Sequence, residues 1–190
     1  MAEFNQAFSL TSGHEGGYVN DLDDAGGETY RGVSRRYHPS WPGWSLIDEI
    51  KSDNPDDLDD ALSEVSKIQQ AVEDFYKQLY WDRFWGDNIP TQDIGNELFD
   101  TSVNLGVHRA VKYLQEGLNL LNRNQKSYND IVEDGLFGRG TLRALNAFLE
   151  QDKSAVLLKV MNTLQGMHYI SYMRKNPAQE KYARGWLKRA

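Results

Sequence analysis

The chain contains no cysteine, which excludes disulfides and thiolate chemistry. Histidine is almost as scarce. Four are present, at positions 14, 38, 108 and 168, and no two form a His-x-x-x-His pair, so no zinc or other metal site is expected. No long apolar run occurs, so no segment reads as a membrane-spanning helix. The opening Met1-Ala2-Glu3-Phe4-Asn5-Gln6 lacks a basic region followed by an apolar stretch, and a Sec-type signal peptide is not expected there. Positive charge is short as well: 21 Lys and Arg face 28 Asp and Glu, and the net charge of −7 argues against nucleic acid as the main partner.

What is present is a chain of 190 residues, 39% apolar and 12% aromatic, long enough for one domain or two small lobes sharing a cleft. Five Trp and ten Tyr suit a packed core, and equally a groove that stacks on flat ligands such as sugars. The charge is uneven. From Lys153 onward stand eight basic residues and one acid, a net of +7, which leaves −14 on residues 1–152. A basic end suits an anionic surface such as a cell wall, or simply complements the C-termini of the last helices.

Helical periodicity dominates. Phe4, Phe8, Thr11 and Glu15 share one face. Leu58, Leu62, Val65, Ile68, Val72, Phe75 and Leu79 predict one long amphipathic helix opened by Asp56-Asp57. Ile94 to Leu105 predicts another, ended by Gly106; Val107 to Leu121 follows, then Leu142 to Leu149 and Val156 to Met167, with Pro177 before a short last segment. The strand signal is a small hairpin between Tyr18 and Val33, where Gly26-Gly27 turns the chain. The expected fold is all-α, with at most that minor β element.

Gly13-His14-Glu15-Gly16-Gly17-Tyr18 carries the first chemical signal. Glu15 falls eleven residues after Phe4, within about 20° of the centre of the apolar face at 100° per residue. A carboxylate there either pairs with a cation such as Arg31 or sits at the core's edge with a raised pKa, suited to general acid catalysis. Asp21, Asp23, Asp24 and Glu28 follow on a glycine-rich loop. Glycosidic cleavage needs such a division of labour, one carboxyl kept protonated and one kept ionised.

The run from His14 to Val33 resembles the signature of the glycoside hydrolase family 108 muramidases, a Glu-Gly-Gly-Tyr followed by Gly-Gly-Glu-Thr. Tyr80-Trp81 with Asn88-Ile89-Pro90, Phe99-Asp100-Thr101-Ser102-Val103-Asn104-Leu105-Gly106, Asp134-Gly135-Leu136-Phe137-Gly138-Arg139-Gly140-Thr141 and Gly185-Trp186-Leu187-Lys188-Arg189 resemble later motifs of the same family, in order. The third of these four belongs to the family's peptidoglycan-binding half. The resemblance implies a lysozyme-like helical fold, with a catalytic lobe at 1–90 and a peptidoglycan-binding lobe at 91–190, forming one unit. It also implies hydrolysis of the β-1,4 bond between N-acetylmuramic acid and N-acetylglucosamine, with no cofactor and with Glu15 as catalytic acid.

For the second carboxylate, the spacing of phage-type lysozymes favours Asp24, nine positions after Glu15, with Thr29 as its companion; Asp23 and Glu28 stay on the shortlist. Tyr18 beside Gly17 reads as a substrate contact. Trp81, with Tyr80 and Trp85, reads as a sugar-stacking wall or as core aromatics at a helix end. Asp100 and Asn104, four apart on one helix face, either line the glycan groove or form an internal hydrogen-bond network. Trp41-Pro42-Gly43-Trp44 reads as a lid or a staple. The expected partner is peptidoglycan, acted on by a monomer made in the cytoplasm and delivered to the periplasm or beyond by a holin or an export route. Endolysin and secretion-activator roles both fit. The alternatives are a lytic transglycosylase and a non-catalytic peptidoglycan-binding or secretion-assisting protein.

Overall fold

Apolar residues at helical spacing leave little of the chain free to pair as strands, and the architecture follows from that. The structure, a computed structural model, describes residues 1–12, 16–21, 26–53 and 55–190. Among these lie nine α-helices and one small three-stranded sheet. They group into two compact units. One holds Phe8–Leu79; the other joins Met1–Ala7 to Tyr80–Ala190. The chain enters the first unit along helix α1 (Phe4–Ser12) and leaves it through a wide π-type turn, Lys77–Trp81.

In the unit spanning Phe8–Leu79, β1 (Tyr18–Asn20), β2 (Glu28–Tyr30) and β3 (Val33–Ser34) form an antiparallel sheet in that order. The expected hairpin therefore gains a third strand. Tyr30 pairs with Val33, leaving Arg31 and Gly32 as a two-residue turn. Both have positive φ, 43° and 78°, as a type I′ turn demands. The Tyr76 hydroxyl donates to Arg31 O at 3.0 Å and holds the strained residue in place.

Behind the sheet pack α2 (Gly43–Ser52), α3 (Leu58–Ser63) and α4 (Ser66–Tyr76), with Trp44, Ile47, Leu62, Ile68 and Val72 buried. The single helix expected from Leu58 to Leu79 is broken. Val65 is extended, at φ −87° and ψ 100°, and starts α4 anew. The break is stable because its backbone groups find partners: Gln69 Nε2 donates to Leu62 O at 3.0 Å, and Val65 O accepts from Ile68 N at 3.0 Å. No Pro or Gly marks the place, and the apolar spacing runs through it. Asp57 caps α3 by accepting from Asp60 N at 3.1 Å, as the acidic start predicts. Trp41-Pro42-Gly43-Trp44 is a staple rather than a lid. Both indoles are buried and anchored, Trp41 Nε1 on Ala71 O at 3.1 Å and Trp44 Nε1 on His38 O at 2.9 Å.

The other unit is built on α5 (Gln92–Leu105), α6 (Val107–Leu121), α7 (Arg139–Leu149), α8 (Ser154–Lys175) and α9 (Ala183–Arg189). Gly106, at φ 86°, ends α5 and lets α6 fold straight back on it. Where α6 meets α8, a Cβ on Gly117 would lie 2.8 Å from Leu157 Cδ1, so the small residue permits the close approach. Gln115 of α6 organises the loop before α7. Its Nε2 donates to Asp134 Oδ1 at 3.0 Å, Leu136 O at 3.1 Å and Thr141 Oγ1 at 3.2 Å, and its Oε1 accepts from Gly135 N at 2.8 Å. The Asp134-to-Thr141 motif is thus a turn pinned to a buried amide, with Gly135 at φ 68°.

Candidate active site

Glu15, Asp23 and Asp24 lie outside the described residues. The segments flanking them in sequence are described, and they are tightly specified. Tyr18 N donates to the Asp59 carboxylate of α3. A Cβ on Gly17 would fall 2.4 Å from that same carboxylate, so only glycine admits the contact undistorted.

Glu28 sits at the centre of a charged cluster. Its Oε1 accepts from the Tyr18 hydroxyl and from Lys51 Nζ, both at 2.8 Å, and its Oε2 accepts from Arg35 Nη1 at 2.9 Å. Arg35 continues to Asp48 on α2 at 2.7 Å. Burial alone would push the Glu28 carboxyl up, but the hydrogen bonds from Lys51, Arg35 and Tyr18 outweigh it and hold the pKa below the ordinary value. Burial, with Glu28 adding to it, raises Tyr18, so its phenol stays a proton donor. Lys51 also lies 5.3 Å from the centre of the Tyr18 ring. A carboxylate this fully occupied is a fixed anion that braces the sheet. Three of its roughly four acceptor positions are taken, which counts against it as the second catalytic carboxyl.

The register separates two of the expected site residues. Tyr18 faces Tyr30 and Asn20 faces Glu28 across β1 and β2, so these four side chains share one face of the sheet. Thr29 pairs with Val19 and Ser34 and points to the other face. Its hydroxyl donates a long bond to Gly27 O at 3.2 Å, and none of the described residues donates to it in return. Tyr18 therefore belongs with Glu28 as a brace, its polar end committed, while Thr29 stands apart from it.

In the unit of α5 to α9, Trp81 is wholly buried, and its Nε1 donates to Asp87 Oδ1 at 2.7 Å. It packs edge-to-face on Phe4, Phe84 and Phe99. A ring with no exposed face cannot stack on a sugar, so the expected wall is core at this position. Trp85, 36% exposed, rests edge-on against Phe137. Asp100 and Asn104 are joined: Asn104 Nδ2 donates to Asp100 O at 2.8 Å and Oδ2 at 3.3 Å. Asp100 in turn pairs with Arg189 of α9 at 2.9 Å. The motif on α5 and the closing Gly-Trp-x-x-Arg motif are thus brought together from 89 positions apart. Asn104 continues from there into the wall of a cavity of about 270 Å³ under Trp186.

One group escaped the sequence reading. Glu97 of α5 has its carboxyl pushed up to about 7 by burial, with the Asp100 charge adding to the shift, although Thr101 Oγ1 donates to it at 2.9 Å. Turned to satisfy its surroundings, the Asn162 amide of α8 also donates to Glu97 Oε2 at 3.0 Å.

Residues 8–106 match the family model described as Glycosyl hydrolase 108, and residues 109–190 match the one described as Predicted Peptidoglycan domain. Together with the helical fold these define a glycosidase directed at peptidoglycan. The chain belongs to the glycosyl hydrolase 108 family. Among solved structures it is similar to that of Brucella abortus SagA, at 20% identity and a TM-score of 0.60, over 98% of this chain and 88% of that one. At that identity the likeness speaks for the fold. No functionally curated protein matches the chain.

Proposed function

We propose that the chain is an N-acetylmuramidase, cleaving the β-1,4 bond between N-acetylmuramic acid and N-acetylglucosamine with Glu15 as general acid. The observation that carries the reading is the Glu15-Gly16-Gly17-Tyr18 segment inside the stretch that matches the hydrolase family. Glu15 protonates the glycosidic oxygen as the bond breaks. An ionised Asp24, with the Thr29 hydroxyl, places a water or steadies the oxocarbenium-like sugar. Asp23 is the alternative to Asp24, Glu28 being held by Lys51, Arg35 and Tyr18. The enzyme acts as a monomer on the wall in the periplasm or outside, after passage through a holin pore or an export system.

Turbidity clearing of purified sacculi tests this. Glu15→Gln keeps the shape and removes the proton, so the rate should fall by about 10²-fold or more. Asp24→Asn should fall comparably, whereas Glu28→Gln should weaken the fold while leaving the shape of the pH–rate profile unchanged. Undiminished lysis by Glu15→Gln would defeat the proposal. Products ending in anhydro-sugars would replace hydrolysis by the transglycosylase route.

A further inference from the structure

The cavity of about 270 Å³ joins three kinds of chemistry that the hydrolytic reading leaves unused. The first is aromatic surface. Trp186 stacks with Tyr169 at 5.3 Å and with Tyr182 at 5.7 Å, and Tyr172 leans on it at 56°. Tyr172 is 44% exposed and lies nearly parallel to His168, so it offers a ring at the rim with its partners fixed behind it.

The second is neutral polar groups, the Asn104 amide and the His168 imidazole. Burial first, and the charge of Arg109 second, push His168 below its ordinary pKa. At neutral pH the ring offers one donor and one acceptor.

The third is an uncompensated cation. Arg109, in the first turn of α6, gives one N–H to Leu105 O at 3.3 Å. Among the described residues no carboxylate lies within ion-pairing distance of it. Arg189 close by differs, being neutralised by Asp100 at 2.9 Å. A guanidinium has five donors, and among the described residues one acceptor, Leu105 O, meets those of Arg109.

A ring with an apolar face, amide-sized polar groups and a carboxylate is the ligand that matches. Within peptidoglycan the muramyl unit has that character and N-acetylglucosamine does not. We propose that this cavity is a muramyl-binding subsite, with the sugar face against Tyr172 and the carboxylate of its lactyl or peptide branch on Arg109. The inference rests on the chain being directed at peptidoglycan. It adds a recognition site outside the Glu15 segment, one that reads the acidic sugar rather than cleaving it.

Three small probes test it on the full chain, followed by the tryptophan indole N–H signals in NMR titrations. N-acetylmuramic acid carries the lactyl carboxylate. N-acetylmuramyl-L-alanyl-D-glutamate has that group tied up as an amide and its carboxylates on the peptide. N-acetylglucosamine has neither, and none of the three contains the scissile bond. The acidic probes should bind about tenfold more tightly than N-acetylglucosamine, as one charge-assisted contact allows. Arg109→Gln should level all three, and Tyr172→Ala should weaken all three; both side chains are exposed, so the fold should survive. Whichever acidic probe binds tighter assigns the carboxylate. Equal binding of the neutral sugar by the wild type, an acid preference that survives Arg109→Gln, or no binding at all would overturn the subsite. Reducing-end release from sacculi by the wild type is scored separately. Cleavage without probe binding removes only the subsite, and probe binding without cleavage removes only the muramidase reading.

Discussion

Glu97 makes the stability of this protein depend on pH in a direction opposite to that of most paired carboxylates. Its carboxyl lies among α5 and α8 side chains, its pKa moved from 4.5 to about 7. A carboxyl raised in the folded state favours folding while protonated. That contribution is fully present below the unfolded value, near 4.5, and is lost as pH rises through about 7. The interval corresponds to about 3 kcal/mol at full effect.

Glu97→Gln imitates the protonated form, since its amide oxygen can still accept from Thr101 and Asn162. The variant and the wild type should therefore have nearly equal unfolding free energies at pH 4, with the variant more stable by about 3 kcal/mol at pH 8.5. His168, held below its ordinary value, acts with the opposite sign, contributing stability above about 6.5 that is lost in acid. It is common to both proteins and cancels in the difference. Denaturant unfolding across pH 4–9, read as the difference between the two, isolates Glu97. A difference that does not change with pH would refute the assignment.

Two further substitutions probe the unit of α5 to α9. A Cβ at Gly86 would lie 2.1 Å from Trp81 Cε2, and that indole is fully buried, so Gly86→Ala should cost about 1–3 kcal/mol or more. A thermal unfolding midpoint equal to the wild type's would contradict it. Gln115→Ala strips the buried Gly135 N–H of its acceptor, the Asp134 loop of two donated bonds and Thr141 of one, which should cost about 2–4 kcal/mol. Faster hydrogen exchange at the Gly135 amide is the direct readout, and unchanged protection there would count against the loop's dependence on this amide.

Local rules made most of the helices legible. Gly106 ends α5 where the spacing places it, and Asp57 caps α3 as its chemistry suggests. The break at Val65 was not legible, because its stability comes from a side-chain amide one turn later and from no breaker residue. The third strand depends on Arg31 in a left-handed conformation, which propensity disfavours and a tertiary bond from Tyr76 supports. The pairing of Asp100 with Arg189 spans too much sequence for any local pattern to announce. Glu97 is different, since its signal was present. It falls three residues after Ile94 and four before Thr101, on the apolar side of α5, and the helical arithmetic applied to Glu15 selects it equally well. Tyr18 and Thr29 belong to one motif in sequence and to opposite faces in the sheet, because a strand alternates its side chains whatever motif it carries.

Gly106 carries a consequence for how such chains are assembled. The hydrolase match ends at this glycine and the peptidoglycan match begins three residues later, yet α5, α6 and α8 on either side of it share one interior. The segment that a family model matches and the segment that folds as a unit are therefore different lengths of chain. A fragment beginning at residue 109 would inherit α6 and α8 with the seat of α5 bare, and with Arg189 facing no Asp100. Any new partner grafted at this seam must bring its own version of the α5 face, which limits recombination to neighbours that already fit.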